Sequence, residues 1–347
     1  MYESFYGLTG KPFQLNPDPS FYYGSRGHKR AFAYLEYGLY QSEGFIVITG
    51  EVGAGKTTIV RSLLEQLDPA KVVAVQLVST QLDADDLLRA VGAAFGLPVR
   101  AVDKAILLAS LEAFLCQLAV DKKRALLVVD EAQNLSPRAI EELRMLSNFQ
   151  LGDQALLQSF LVGQPELRAM MQSPQAQQLR QRVIASYHLG PLDPSETQAY
   201  VEHRLRHVGW KNDPAFEPGT FGLIHELTGG IPRRINTLCN RVLLAAFLAE
   251  KHGVGAPDVQ AIANEIREEM GADAALSPVA VVAPEANPGA DGLARSRIDP
   301  AVWHRHFNHI EERIDRLEAT VGAAVDLLHS LLHPEKAPKP GTPKGHG

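Results

Sequence analysis

Short apolar runs rich in β-branched residues punctuate the chain at Phe45 to Thr49, Val72 to Leu77, Ala125 to Val129 and Leu156 to Val162, with a weaker one at Val183 to Leu189. Runs of this length with no polar alternation predict strands buried on both faces. Helical patterns lie between them, including one from Thr58 to Leu67, and another from about His28 to Tyr40 follows a Pro- and aromatic-rich arm, Phe5 to Tyr23. Strands alternating with helices predict βαβ units: an α/β fold with a parallel sheet sandwiched by helices.

From Pro191 to about Met270 the strand signal disappears. Amphipathic stretches begin there after capping residues and prolines, at Asp193 to Val208, Pro214 to Thr228, Ile231 to Lys251 and Ala256 to Met270. They predict a small all-helical second domain. Residues 271 to 300 are rich in Ala, Pro and Gly without a sustained period, the composition of a disordered linker. Beyond it, Phe307, Ile310, Ile314, Leu317, Val321, Ala324, Leu328 and Leu331 recur at alternating spacings of 3 and 4, a heptad seam. An isolated helix of that size is marginal in water, so the seam at 301 to 333 is expected to pack on a second copy as a coiled coil, on its own domain or on a partner. Residues 334 to 347 lack apolar content and predict a disordered tail. The expected organisation is therefore an α/β domain with its N-terminal aromatic arm at 1–190, a helical domain at 191–270, then linker, amphipathic helix and tail.

Composition narrows the function classes. The 347 residues carry 34 Lys plus Arg against 40 Asp plus Glu, a formal net charge of −6, with 45% apolar and 21% charged residues. This is an ordinary globular composition, and mild acidity disfavours broad attraction to nucleic acid or an anionic membrane. Cys116 and Cys239, the two cysteines, sit in apolar helical patterns and read as buried thiols of a reducing compartment rather than a disulfide or metal framework. No run approaches the roughly 18 apolar residues of a bilayer span. The opening Met1-Tyr2-Glu3-Ser4 lacks a basic then apolar signal region, so a cytoplasmic location is expected.

Directly after the first apolar run stands Gly50-Glu51-Val52-Gly53-Ala54-Gly55-Lys56-Thr57, followed by Thr58 and a helical pattern, which fits G-x-x-x-x-G-K-[ST]. Glycines let such a loop curl so that consecutive N–H groups point inward, and the helix N-terminus adds its positive end. The expected ligand is the phosphate tail of a nucleotide, with Lys56 on the β- and γ-phosphates and the Thr57 hydroxyl on Mg²⁺. A second element is Leu126-Leu127-Val128-Val129-Asp130-Glu131, an apolar strand that ends in two acids. Buried carboxylates are costly unless they face a polar cavity, and this strand end is the ligand edge of a parallel sheet. Asp130 is expected to hold the Mg²⁺ shell through water, and Glu131 to orient and polarise the attacking water, which points to hydrolysis rather than group transfer.

These motifs resemble the additional-strand, AAA+ class of P-loop ATPases and, within it, the ExeA (general secretion pathway A) type, most of all the secretion ATPase encoded with exosortase and PEP-CTERM protein-sorting loci that accompany exopolysaccharide genes. The resemblance also rests on Phe5-Tyr6-Gly7-Leu8 with Pro12-Phe13 and Asn16-Pro17-Asp18-Pro19, on Asp130-Glu131-Ala132-Gln133-Asn134-Leu135, on Leu161 to Leu167, and on Gly229-Gly230-Ile231-Pro232-Arg233-Arg234-Ile235-Asn236. It implies that Gln164 is the sensor 1 side chain near the γ-phosphate, where many members carry Asn or Thr. Arg233 matches sensor 2, with Arg234 able to exchange roles with it. Arg180 or Arg182 matches the arginine finger that enters a neighbouring subunit's site, which implies a homo-oligomer. The arm from Pro12 to Tyr23 with His28 matches the adenine edge of the family's site, or else caps a core.

Other constellations carry less. His203 and His207 share a helix face without a third ligand nearby, and His304, His306 and His309 precede the heptad seam; both sets read as solvated or packed histidines. The leading expectation is a Mg²⁺-dependent ATPase that drives assembly or conformational change in a membrane-linked export, protein-sorting or exopolysaccharide system, itself cytoplasmic and reaching the inner membrane through a partner. Two alternatives stand beside it: a DNA-dependent ATPase of the transposition or loader type, and an ATP-switched regulatory oligomer with little turnover.

Overall fold

The computed structural model describes residues 1–270 apart from 17, 79–81 and 101. The linker, heptad helix and tail expected from 271 onward, with His304, His306 and His309, lie outside the described residues.

Each apolar run becomes a strand. These are β1 (Phe45–Gly50), β2 (Val72–Val78) and β3 (Arg124–Asp130), then, after a small antiparallel pair β4 (Gln150–Leu151) and β5 (Gln154–Ala155), β6 (Leu157–Gly163) and β7 (Val183–Leu189). A five-stranded sheet has the order β2-β3-β6-β1-β7, and every pairing in it is parallel.

Alternate side chains explain the unbroken apolar runs. Phe45, Val47, Leu127, Val129, Leu157 and Leu161 enter one core, whereas Ile46, Ile48, Leu126, Val128, Phe160 and Val162 enter another. The two-residue period persists, but both faces are apolar because helices cover both. Helices α2 (Arg26–Gln41) and α3 (Lys56–Gln66) cover the second face with Ala31, Leu35, Ile59 and Leu63. On the first face lie α4 (Ala84–Ala94), α5 (Lys104–Val120), α6 (Pro137–Leu146), α7 (Pro165–Gln172) and the short α8 (Gln177–Arg180). The short α1 (Tyr2–Phe5) precedes all of these.

The helical region consists of α9 (Pro194–His207), α10 (Thr220–Thr228), α11 (Pro232–Leu248) and α12 (Ala256–Met270). Asp193 and Glu196 form a capping box at the start of α9, with Pro194 in its first turn. Val201, Leu205, Ile224, Leu238, Val242 and Ile262 build a third core. Cys239 lies inside it, and burial pushes its thiol up to about 12.

Two features differ from the sequence-based expectation. Residues Ala215–Phe216 (β8) pair in parallel with Gly253–Val254 (β9), so α10 starts at Thr220 rather than near Pro214. Two residues are too few to leave a periodic signal. The N-terminal arm, expected with the α/β layer, instead places Tyr2, Tyr6, Leu8 and Phe13 in the helical core. Tyr2 Oη donates to Asn240 Oδ1 at 2.8 Å, Tyr6 Oη to the Lys251 carbonyl at 3.0 Å, and Thr9 N–H to the Val208 carbonyl at 2.9 Å. An arm without a period cannot announce which layer it joins. Its large rings share the core that the four helices build, each fully buried ring such as Phe13 contributing roughly 2 kcal/mol or more.

Candidate functional site

The chemistry gathers at the carboxyl edge of the central strands. β1 ends at Gly50 and runs through the glycine-rich loop into α3, whose first residue is Lys56. Gly53 and Gly55 have φ of +82° and +101°, conformations that side-chain-bearing residues rarely adopt, and they curl the loop. Lys56 is buried, and its Nζ donates to the carbonyls of Gly50 at 2.7 Å and Glu51 at 2.9 Å. Burial holds its pKa below the ordinary lysine value against the opposing pull of Glu131 and Asp130. Val52 stands exposed on the rim, Ala54 is buried, and Thr57 and Thr58 open the first turn of α3.

Asp130, the last residue of β3, is buried and accepts from Thr57 Oγ1 at 2.9 Å, from the Glu131 N–H at 3.0 Å and, more distantly, from Gln76 Nε2 at 3.5 Å. A hydroxyl beside a carboxylate at the open end of a phosphate-type loop is a donor set suited to a hard dication. Mg²⁺ therefore fits these residues.

Glu131 departs from β3 with φ +52°, an uncommon angle for a non-glycine residue that turns the chain sharply into a 3-10 turn at Ala132–Asn134. Its Oε2 accepts from Gln133 Nε2 at 2.6 Å and from Gln164 Nε2 at 2.9 Å. Burial alone would raise its pKa. The donors on Gln164 and Gln133 and the Lys56 ammonium outweigh burial and hold it below the ordinary glutamate value.

A cleft of about 1230 Å³, open to solvent, connects these groups to the helical region. Arg233 enters it from the first turn of α11, and its own N–H donates to the Gly53 carbonyl at 3.1 Å. Tyr22, Tyr23 and His28 line the cleft too, so the arm reaches the site although its root lies in the helical core. His28 is buried under the loop: Ser25 Oγ lies 2.6 Å from its Nδ1, and a Cβ on Gly55 would fall 2.6 Å from its Nε2.

Arg180 and Arg182 stay outside this cleft. Arg180 donates to the Met171 carbonyl at 2.8 Å, and Arg182 donates to the carbonyl and Oγ of Ser147, each at 2.9 Å, at the end of α6. His203 and His207 face the rings of Tyr23 and Phe21, with centroids at 5.5 and 4.2 Å.

Five residues at the site carried no role in the sequence reading: Gln76, Gln133, Tyr200, Arg204 and Asn236. Gln76 was accessible in principle, as a polar residue inside a strand-like run. Arg204 is buried, donates to the Gln14 carbonyl at 3.2 Å and to Tyr200 Oη at 2.9 Å, and Tyr200 donates to Asn236 Oδ1 at 2.9 Å. Nothing in the local sequence separates Arg204 from its exposed neighbour Arg206.

Sheet order, loop, paired acids and helical region together define the P-loop NTPase fold of the AAA+ class. The family model described as AAA domain matches residues 39–171. The chain is 42% identical over 268 residues to General secretion pathway protein A of Aeromonas hydrophila, a match that covers 77% of this chain and 48% of that protein. The chain thus spans about half the length of this relative. Among solved structures it is similar to the ORC2 protein of Aeropyrum pernix, with a TM-score of 0.56 at 20% identity over 74% of this chain and 71% of that one. It is also similar to Cdc6p of Pyrobaculum aerophilum, with a TM-score of 0.57 at 16% identity over 74% of this chain and 70% of that one. At these identities the likeness to the solved structures concerns the fold. Among the described residues, no helix is long and apolar enough to cross a membrane.

Proposed function

We propose that the protein hydrolyses ATP to ADP and phosphate and uses the cycle to drive assembly or conformational change in an export system. The observation that carries this reading is that Lys56, Thr57 and Glu131 line one cleft, with Asp130 behind Thr57 at 2.9 Å and Gln164 holding the Glu131 carboxylate. The N–H groups of the first turn of α3 and the Lys56 ammonium bind the triphosphate and draw charge from it as the terminal bond breaks. Glu131 orients a water for in-line attack and takes its proton, and Gln164 holds the carboxylate toward that water. Thr57 directly, and Asp130 through water, would hold Mg²⁺, which when bound neutralises charge on the β- and γ-phosphate oxygens.

Arg233 leaves from the contact between α11 and the loop, so closure of the helical region over a bound triphosphate and release after hydrolysis give two states that a partner reads. In this reading Arg180 or Arg182 completes a neighbour's site in a homo-oligomer, and the heptad seam at 301 to 333 is the self-association arm. The secretion context is supported by the identity to General secretion pathway protein A. The exosortase and exopolysaccharide setting, and a cytoplasmic place beside the inner membrane, rest on the sequence resemblance.

The test is a pair of variants. Lys56→Ala is expected to abolish ATP binding in calorimetry, and Glu131→Gln to keep binding while cutting phosphate release to a small residual rate. Unchanged turnover in the glutamate variant would remove Glu131 from its role. Stimulation of turnover by duplex DNA, falling steeply with salt, would instead favour the DNA-dependent alternative.

A further inference from the structure

We propose that Gln133 is a positioning residue for the hydrolytic step, its amide joining Glu131 and Gln164 into one rigid unit. This inference rests on the ATPase reading and concerns a side chain which that reading does not use.

Three hydrogen bonds close a ring. Gln133 Nε2 donates to Glu131 Oε2 at 2.6 Å, Gln164 Nε2 donates to the same oxygen at 2.9 Å, and the Gln164 N–H donates to Gln133 Oε1 at 3.0 Å. Chemistry fixes the orientation of the amide. Turned over, Gln133 would set its oxygen against the Glu131 carboxylate and its NH₂ against the Gln164 N–H, losing both bonds.

The backbone makes room for this arrangement. A Cβ on Gly163, the last residue of β6, would lie 2.7 Å from Gln133 Oε1, so the amide rests against a strand end without a side chain. Ala132, fully buried beside it, anchors the 3-10 turn that carries Gln133. The unit therefore links the tip of β3 to the tip of β6 and to Gln164, the N-cap of α7. Both donors converge on Oε2 of Glu131, which leaves Oε1 to meet the attacking water.

A glutamate held by two donors keeps its carboxylate in one plane through the reaction, whereas one held by Gln164 alone swings about its own long side chain. Fixing a base that acts only in the transition state raises kcat without altering how ATP binds. Gln133→Ala removes one bond from the carboxylate and one from the N-terminus of α7. Gln133→Glu keeps the shape and the acceptor for the Gln164 N–H but sets a second carboxylate against the first.

The experiment measures ATP hydrolysis and ATP affinity in the full chain for the unmodified protein, Gln133→Ala, Gln133→Glu, Glu131→Gln and the Glu131→Gln/Gln133→Ala double variant, with thermal melts to confirm folding. Gln133→Ala is expected to lower kcat about tenfold or more with KM and Kd for ATP within about twofold, and Gln133→Glu to lower it further. Added to Glu131→Gln, Gln133→Ala is expected to change the residual rate by less than about twofold, because it acts through the glutamate. A kcat within about twofold of the unmodified protein in Gln133→Ala, or a further large loss in the double variant, overturns the inference while leaving the ATPase reading intact. Absence of hydrolysis by the unmodified chain, or hydrolysis unaffected by Lys56→Ala, overturns both together.

Discussion

The Arg233 N–H donates to the Gly53 carbonyl oxygen at 3.1 Å, and a Cβ on Gly53 would lie 2.2 Å from Arg233 Cβ. The helical region thus rests on the phosphate loop through backbone, at a residue whose φ of +82° already excludes most side chains. Gly53→Ala must therefore either open this contact or distort the loop. The expected result is a weakening of ATP binding by about tenfold or more in calorimetry, with a melting temperature several degrees lower. Unchanged affinity would mean that the loop and α11 part freely.

Arg204 lies 6% exposed on α9, with its guanidinium carbon 4.7 Å from the Phe21 ring centroid, and its donors hold the Pro12 and Gln14 carbonyls of the arm. Arg204→Ala leaves those carbonyls and the Tyr200 hydroxyl short of a partner, at an expected cost of about 2–4 kcal/mol in urea unfolding. Hydrogen exchange is expected to show faster opening of the arm from residue 5 to 16. Arg204→Lys should recover only part of both losses, since one ammonium lacks the planar fork. An arm as protected in the alanine variant as in the parent chain would contradict this assignment.

His28, His203 and His225 all have pKa values pushed below the ordinary histidine value, foremost by burial. A histidine depressed in the fold is neutral in both states at high pH, so it imposes no penalty there. As pH falls through about 6.5 the unfolded chain binds the proton first, and stability drops. Melting temperatures are expected to fall between about pH 8 and about pH 5, and His28→Gln to flatten part of that slope. An identical slope in the variant would show that His28 is not buried as a neutral ring.

Arg180 ends α8 exposed, whereas Arg182 is half-buried and tied to Ser147. If a neighbour completes the site, turnover per molecule rises with protein concentration. Arg180→Ala is then expected to lower turnover by at least about a hundredfold with little change in melting temperature. Arg182→Ala is expected mainly to loosen the end of α6 and lower the melting temperature. Turnover independent of both concentration and Arg180 would exclude a trans-acting arginine at this position.

The strands, the phosphate loop and the Asp130-Glu131 tip were legible in the sequence because each is written in consecutive residues. A strand covered on both faces needs an unbroken apolar run, a curled loop needs glycine where φ is positive, and a carboxylate pair at a strand end has few other uses. Gln133, Arg204 and the seat of the arm were not legible, because their roles depend on partners brought near by the fold. Gln133 gains meaning only when β6 delivers Gly163 and Gln164 beside it, and Arg204 only when the arm crosses α9, 190 residues away along the chain. Sequence thus set the local chemistry by itself. The tertiary structure decided which groups meet, because hydrogen bonds and burial act over a few ångströms of space whatever the separation along the chain.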